Sequence, residues 1–270
     1  MRSWLFLILG LTILVSFLYR DKSDLEILLD KAEDGDSEAQ YEVGWMYDTG
    51  QSALDTGESV PVDDTEAFKW YRKAAEQDDA DAQYSLGGMY QNGEGVVKDN
   101  VEALKWFRKA AEQDDADAQA MLGFVYYNGE GVAKDDTEAF KWYGKAAEQD
   151  NANAQYNIGA MYHKGEGVAK DDTEAFKWYR KAAEQDLAIA QHNLGTMYRN
   201  GEGVAKDDVE ALKWYNLAAA QGLNEAKEAK TFLVSQMTKE QVAESDKTET
   251  ADLLRKHGGK TGEELKAEGK

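Results

Sequence analysis

Apolar and polar positions along this chain follow two helical patterns, one after the other. In residues 117–127 the apolar positions fall on one face of a helix that turns 100° per residue: Ala118, Leu122, Val125 and Tyr126. A second helix, opening at Asp135-Asp136-Thr137-Glu138, has a wider apolar face that combines small and aromatic side chains: Ala139, Phe140, Trp142, Tyr143, Ala146 and Ala147. The pattern therefore predicts two amphipathic helices in succession, with Trp142 and the other aromatic side chains of the second helix in the core.

Both patterns recur at a fixed step of 36 residues. The second pattern carries a tryptophan at Trp70, Trp106, Trp142, Trp178 and Trp214. The first carries a glutamine and a glycine, at Gln83, Gln119, Gln155 and Gln191 and at Gly87, Gly123, Gly159 and Gly195. Such a period is typical of repeat proteins, in which each unit is one supersecondary motif that buries its apolar face only against its neighbours. Function is therefore expected on the surface of a stack.

Glycines and acidic residues mark the ends of these helices. Gly129 and Gly131 are placed to end the first helix, because glycine takes a positive φ without a steric penalty. A phosphate-binding loop is excluded, since neither a third glycine nor a Lys-Ser or Lys-Thr pair follows. Asp135, with Glu138 three residues later, has the form of a capping box for the second helix. Cation binding and acid-base catalysis are the alternatives for these acids, but capping accounts for their recurrence at every repeat.

These residues resemble a known repeat family. The pattern Ala-x-Ala-Gln-x-x-Leu-Gly-x-Met-Tyr-x-x-Gly-x-Gly-Val, then Asp-x-x-Glu-Ala-x-Lys-Trp-Tyr-x-Lys-Ala-Ala, is similar to the Sel-1-like repeat, a relative of the tetratricopeptide repeat. The resemblance implies an all-α fold, a right-handed α/α superhelical solenoid of helical hairpins, over residues 23–245. It would contain five full repeats and partial capping units, with a capping helix starting at Thr238. The glycine expected after the second helix is aspartate at Asp78, Asp114, Asp150 and Asp186, which predicts slightly strained joints.

The two ends of the chain differ from the repeats. Residues 1–22 contain an apolar run from Trp4 to Tyr19, predicted to be a signal peptide or an N-terminal membrane anchor. Its poor cleavage site favours the anchor, and either choice exports the repeats. Residues 246–270 are polar, mixed in charge and rich in glycine, which predicts a disordered tail. The expected location is the cell envelope, on the periplasmic side of the inner membrane, or outside the cell.

Composition narrows the classes of partner and of chemistry. The formal net charge is −21, so the surface repels phosphate backbones and nucleic acid is excluded as the expected partner. A neutral or basic protein or peptide is expected instead, with the membrane involved only through the N-terminal segment. No cysteine is present, so disulfides, thiolate metal sites and thiol nucleophiles are excluded, and neither a cofactor nor a metal site is predicted.

Within the first helix, the positions at which the repeats differ from one another all lie on one face. The fixed positions share the opposite face, so the varying face is a candidate surface for binding a partner. The resemblance places it on the concave side of the superhelix. The candidate partner-binding residues are Tyr41, Glu42, Trp45, Asp48, Tyr84, Gln91, Met121, Phe124, Tyr127, Tyr156, His163, His192 and Arg199. Trp45, Phe124 and Tyr127 are the predicted anchors, since large aromatics dominate interfaces. Neutral drift on a solvated face is the alternative.

Function is predicted from the surface and from the resemblance together. A repeat stack offers a long surface and the sequence contains no reaction centre, so a non-enzymatic adaptor or scaffold of the bacterial cell envelope is expected. The alternative is a secreted or periplasmic enzyme of the β-lactamase-like kind reported for cysteine-rich relatives. This chain lacks their cysteines and contains no Gly-x-Ser-x-Gly or Ser-x-x-Lys motif. A membrane-bound spacer is a third possibility.

Overall fold

The computed structural model describes residues 23–52, 57 and 59–245, and this part of the chain contains helices and no strand. The predicted N-terminal signal or anchor (residues 1–22) and the predicted tail (residues 246–270) lie outside the described residues. Twelve helices have defined bounds there: α1 (Asp24–Glu33), α2 (Ser37–Thr49), α3 (Asp64–Ala75), α4 (Ala80–Asn92), α5 (Asn100–Glu112), α6 (Ala116–Asn128), α7 (Asp136–Glu148), α8 (Ala152–Lys164), α9 (Asp172–Glu184), α10 (Ala188–Asn200), α11 (Asp208–Ala220) and α12 (Asn224–Val234). A further helical stretch begins at residue 239 and continues to residue 245. None of the described helices has the length and apolar character needed to cross a membrane.

The helices form two compact units, divided between Gln113 and Asp114. The first unit contains α1 to α5 and the second contains α6 to α12. Each repeat pairs a first helix (α2, α4, α6, α8 or α10) with a second helix (α3, α5, α7, α9 or α11), and within each unit every second helix also contacts the next first helix. The all-α class and the helical-hairpin repeat are therefore confirmed.

A glycine in the first helix allows the two helices of a hairpin to approach closely. A Cβ added at Gly123 would lie only 2.6 Å from Cδ1 and Cγ of the Tyr143 ring, closer than carbon atoms can pack. The same contact joins Gly44 to Tyr71, Gly87 to Phe107, Gly159 to Tyr179 and Gly195 to Tyr215. The aromatic residue that follows each tryptophan is thus the buried core residue, between 0% and 4% exposed.

The prediction that Trp142 lies in the core is wrong. Its side chain is half-buried at the edge of the core cluster, and the Lys145 Nζ lies 4.3 Å from its ring centroid. Trp106 and Trp178 have the same arrangement with Lys109 and Lys181, and only Trp70, at 9% exposed, is close to full burial. Of the two adjacent aromatic positions on each second helix, the one that meets the glycine is enclosed in all five repeats, whereas the tryptophan position is enclosed only at Trp70.

Buried glutamines link three consecutive helices. Gln155, in α8, donates from Nε2 to the carbonyl of Ala147 at 3.2 Å, in the preceding helix α7. Its Oε1 accepts a hydrogen bond of 2.8 Å from Gln185 Nε2, just after α9. Gln40, Gln83, Gln119 and Gln191 accept equivalent bonds from Gln77, Gln113, Gln149 and Gln221. Because a buried amide must be hydrogen-bonded, these contacts fix both the glutamine and the packing of one hairpin on the next.

Aspartates occupy the left-handed joints after four second helices. Asp78, Asp114, Asp150 and Asp186 have φ between 62° and 64°, a conformation that costs energy for residues other than glycine. The carboxylate of Asp150 accepts a hydrogen bond of 3.2 Å from the Gln155 amide, a contact that glycine cannot make. An aspartate at this joint therefore adopts a strained backbone conformation, and its carboxylate accepts a hydrogen bond from a buried glutamine.

The acidic caps are present, but the full capping box is not. Asp135 Oδ1 accepts hydrogen bonds from the backbone N–H groups of Thr137 and Glu138, each at 3.0 Å. The Asp135 N–H donates instead to the carbonyl of Tyr126 at 2.9 Å, and the Glu138 side chain pairs with Lys141. The N-cap prediction is confirmed, and the predicted reach-back of the glutamate is wrong at this helix. A complete box does occur at Ser23 with Glu26.

The Gly-x-Gly turns are structural. Gly129 ends α6 with φ of 75° and an N–H bond to the Val125 carbonyl, as predicted. The second glycine of the turn lies against the preceding repeat, since a Cβ at Gly167 would be 2.0 Å from the Asp136 carbonyl oxygen. Thr238 and Gln241 also exchange capping hydrogen bonds at the start of the last helical stretch, so a helix begins where the sequence predicted one.

Candidate partner-binding face

The candidate residues of the first helices are less exposed than a freely solvated face. Phe124 is 41% exposed, and the other twelve are half-buried. Trp45 packs against the two apolar clusters on either side of it, and Tyr127 packs against the core cluster around Tyr143. Of the three predicted anchors, Phe124 points away from the core, whereas Trp45 and Tyr127 pack against apolar core clusters.

Four candidate residues cover the core aromatic of their own hairpin. The ring of Tyr156 lies 5.6 Å from that of Tyr179, centroid to centroid, and the same contact pairs Tyr41 with Tyr71, Tyr84 with Phe107 and His192 with Tyr215. The third repeat has Ala120 at this position, so the Tyr143 ring has no such cover. The change from tyrosine to alanine distinguishes the third repeat from the others.

Several polar candidates have partners within the fold. Asp48 accepts a hydrogen bond from the Tyr71 hydroxyl at 3.2 Å, and burial raises the pKa of its carboxyl. Burial and the nearby Glu38 also raise the pKa of Glu42. The Arg199 guanidinium lies 4.6 Å from the centroid of the Phe232 ring. These side chains are held in place before any partner arrives.

His163 forms an ion-pair geometry with an acid at the start of α9. Its Nδ1 lies 2.8 Å from Asp172 Oδ1, and Lys170 Nζ lies 3.4 Å from the other oxygen. Burial acts to raise the pKa of Asp172, but the hydrogen bonds from His163 and Lys170 outweigh it and lower that pKa. Thr196 lines the same cavity as His163, and its hydroxyl bonds to the His192 carbonyl and to the Tyr215 hydroxyl. Within the described residues no three His, Asp or Glu side chains group as metal ligands.

Two cavities open on the first-helix face of the second unit, and they are equivalent positions of successive repeats. The first, of about 160 Å³, is lined by Tyr127, Tyr143, Tyr156, Asn157, Ala160, Met161, Lys164 and Glu166. The second, of about 100 Å³, is lined by His163, Tyr179, Asn193, Thr196, Met197 and Glu202. All six residues of the second cavity lie 36 positions after a residue of the first. A core tyrosine, an asparagine, a methionine and a glutamate thus recur in both.

Sequence reasoning selected some of the residues that line these cavities. It selected Tyr127, Tyr156 and His163, which line the cavities, and missed Asn157, Asn193 and the two glutamates. The asparagines lie on the varying face but were passed over because large side chains were preferred as anchors. Their recurrence at one repeat's spacing, on a face that otherwise varies, is the signal that could have revealed them.

The charged side chains at the rim of the first cavity are paired with one another. The Tyr127 hydroxyl donates to Glu166 Oε2 at 2.8 Å, and Lys164 Nζ lies 3.4 Å from that hydroxyl and 3.7 Å from the same carboxylate. The Lys134 ammonium lies over the Tyr127 ring, 4.7 Å from its centroid. Lys134 also pairs with Asp136 at 3.1 Å, so each lysine at this rim has an acidic partner.

Comparison with known proteins accounts for most of the described chain. The model of the Sel1 repeat matches five consecutive segments, residues 37–79, 80–115, 116–151, 152–187 and 188–223. No curated protein matches the chain in a sequence comparison.

Two solved structures are similar in both sequence and fold. One is a protective antigen present in uropathogenic Escherichia coli strains that displays an SLR fold, with 35% identity and a TM-score of 0.74. The match covers 84% of this chain and 47% of the antigen, so the chain spans about half the length of that protein. The other is a Sel1 repeat protein from Oxalobacter formigenes, with 38% identity, a TM-score of 0.66, and coverage of 73% of this chain and 75% of the other.

Proposed function

Because the chain belongs to the Sel1 repeat family, whose members are generally protein-interaction scaffolds, we propose that it is a non-enzymatic adaptor. It binds a protein or peptide partner on the face formed by its first helices. The observation that carries this proposal is the pair of equivalent cavities in the second unit. Cavities that recur at the spacing of the repeat suit an extended segment whose own residues recur at regular spacing.

Phe124 adds an apolar contact beside the first cavity. It is 41% exposed and lies one helical turn before Tyr127 on α6, so a partner could bury it without disturbing the hairpin core. Aromatic side chains that become buried on binding contribute strongly to affinity. Phe124 is therefore the apolar anchor in this proposal.

The partner is expected to be neutral or basic. The net charge of −21 attracts positively charged surfaces and repels nucleic acid, mainly by changing the rate of encounter. The paired charges at the rim of the first cavity contribute little to this preference, since they neutralise one another. Electrostatic steering comes from the acidic surface as a whole.

The proposed location is the bacterial cell envelope, on the periplasmic side of the inner membrane or outside the cell. The apolar run from Trp4 to Tyr19 supports export of the repeats, and its poor cleavage site supports an uncleaved anchor. Cell fractionation followed by N-terminal sequencing is the test. A mature start near residues 17–24 would exclude the anchor, and recovery of the protein with the cytoplasmic fraction would exclude export.

Crosslinking in the native cell, followed by capture of the full chain, tests the adaptor role. The informative variant combines Phe124→Ala with Asn157→Ala, which removes contacts from the face and leaves the core in place. The matched control combines Lys141→Ala with Lys177→Ala, two exposed positions on second helices. Each change at the face should weaken binding of the captured partner by about 1 to 3 kcal/mol, while the control retains full affinity. Loss of binding in the control alone would place the interface on the second helices.

A further inference from the structure

Core tyrosines differ in whether a side chain of their own hairpin bonds to the hydroxyl. Tyr71 donates to Asp48 at 3.2 Å, and the Tyr215 hydroxyl lies within hydrogen-bonding distance of Thr196 Oγ1, at 3.0 Å. Tyr143 occupies the same place in the third repeat and is 3% exposed, yet its hydroxyl makes no hydrogen bond with any described residue. Its ring lines the first cavity, so the cavity is where this hydroxyl can find a partner.

The sequence of the third repeat explains the missing bond. The position of Asp48 is occupied by Tyr127, whose own hydroxyl is directed to Glu166 at 2.8 Å. The position of Thr196 is occupied by Phe124, which has no polar atom in its side chain. Both groups that bind a core tyrosine hydroxyl from within the same hairpin elsewhere are therefore absent here.

The next repeat supplies Asn157, which also leaves its amide free. Asn157 corresponds to Asn193, whose Oδ1 lies 3.3 Å from His192 Nδ1. Asn157 lines the same cavity as Tyr143, but it makes no hydrogen bond with Tyr143 or with another described residue. A hydroxyl and an amide that line one cavity, neither of them hydrogen-bonded to a described residue, form a built site for a ligand group that bonds to the two together.

The remaining walls of the cavity indicate what that group is. Tyr127 and Tyr156 provide aromatic surface and Ala160 and Met161 provide apolar surface, while Lys164 and Glu166 pair with each other at 3.7 Å. No charge is left over to receive an ion, and a charged group would lose its hydration on entry. An apolar group would leave the Tyr143 hydroxyl unsatisfied. A neutral group with both a donor and an acceptor meets each condition.

We propose that this cavity binds the side-chain carboxamide of a glutamine or asparagine in the partner. The planar amide presents one acceptor and two donors, and both the Tyr143 hydroxyl and the Asn157 amide can donate and accept. The assignment rests on the proposed function only in naming a protein as the source of the carboxamide. The second cavity does not share this chemistry, because the Oδ1 atom of its asparagine, Asn193, already lies 3.3 Å from His192 Nδ1.

Titration of the full chain with blocked amino acids tests the assignment without a partner. The probes are the N-acetyl methylamides of glutamine, glutamate, arginine and norleucine, and NMR follows the side-chain amide of Asn157, assigned from its loss in Asn157→Ser. The glutamine probe alone should shift this resonance saturably. Tyr143→Phe should weaken that binding about fivefold, as expected for one hydrogen bond, whereas the matched Tyr179→Phe should leave it within about twofold.

Other outcomes overturn the proposal. Equal or tighter binding of the glutamate or arginine probe would show an ionic site, and tighter binding of norleucine would show an apolar one. Unchanged binding of the glutamine probe to Tyr143→Phe, or no shift by any probe at the limit of solubility, would remove the carboxamide site. If the glutamine probe binds as expected while crosslinking captures no partner, the carboxamide site stands and the adaptor role fails. If a partner is captured through the face while the probe does not bind, the adaptor role stands and the carboxamide site fails.

Discussion

The hydroxyl of Tyr71 donates a hydrogen bond to the carboxylate of Asp48 at 3.2 Å, joining the second helix of the first repeat to its first helix. Burial is the main cause that raises the pKa of Asp48, and the Tyr71 bond only partly opposes it. A folded-state pKa above the unfolded value means that ionisation costs stability. The stability associated with the protonated Asp48 carboxyl is therefore fully present below its ordinary pKa of 3.8. It is lost as the pH rises through the pKa of Asp48 in the folded protein.

Asp48→Asn should therefore stabilise the protein at neutral pH, because asparagine keeps an acceptor for Tyr71 without the buried charge. The gain over the parent should shrink as the pH falls towards 3.8. Urea denaturation across this range measures the difference, and Glu33→Gln, at an exposed position of the same unit, controls for the loss of one negative charge. A gain that does not change with pH, or one that the control reproduces, would contradict the assignment.

The core tyrosines should respond differently to loss of the hydroxyl. Tyr71→Phe and Tyr215→Phe each remove a hydrogen-bonded hydroxyl and should cost about 0.5 to 1.5 kcal/mol. Tyr143→Phe removes a hydroxyl without a partner among the described residues, so it should cost nothing or stabilise the protein slightly. Urea midpoints of the three variants provide the comparison. A cost for Tyr143→Phe equal to the other two would show that its hydroxyl is already satisfied.

The repeat and its caps could be predicted from the sequence because they depend on local rules. Aspartate before a helix accepts from the free amides whatever surrounds it, as Asp135 does. The bond from the Asp135 N–H group to the Glu138 side chain does not form, because each group has another partner. Lys141 pairs with the Glu138 carboxylate, and the Tyr126 carbonyl accepts from the Asp135 N–H group. Local patterns predict which groups can bond, while packing decides which of the possible bonds form.

The candidate site could be predicted only in part, for a related reason. The separation of varying from fixed positions selected a face of the first helices, and Tyr127, Tyr156 and His163 on that face line cavities. The unpaired hydroxyl of Tyr143 could not be predicted, because it depends on where Tyr127 directs its own hydroxyl. Whether the hydroxyl of a core tyrosine is hydrogen-bonded depends on the neighbouring side chains. Some of the contacts that position those side chains join different repeats, as the bond from Tyr127 to Glu166 does.

Alanine at Gly123 should destabilise the hairpin by about 1 to 3 kcal/mol, because its Cβ would overlap the ring of Tyr143. Gly144, one residue after that tyrosine, is the matched control, since a Cβ there meets nothing within 4 Å. Gly144→Ala should stabilise the protein by about 0.5 to 1 kcal/mol through its higher helix propensity. Thermal melts of the two variants should move in opposite directions. Equal shifts would mean that helix propensity, rather than close packing, governs both sites.

The two neighbouring aromatics of α7 should differ in how much their removal costs. Tyr143 is 3% exposed and fills the space against Gly123, so Tyr143→Ala should cost about 3 to 5 kcal/mol. Trp142 is half-buried and has one face under Lys145, so Trp142→Ala should cost less, about 1 to 3 kcal/mol, despite its larger ring.

Lys145→Ala separates the contribution of the cation–π contact of Trp142 to stability from the contribution of its packing. It removes the ammonium above the ring and should cost about 0.5 to 1 kcal/mol, with little further effect once Trp142 is alanine. Urea denaturation of the single and double variants gives this coupling directly. A cost for Trp142→Ala equal to that of Tyr143→Ala would return the tryptophan to the core. It would also mean that the position enclosed in the hairpin core is not only that of Tyr143 but also that of Trp142. Contact with Gly123 would then not decide which aromatic side chain is buried.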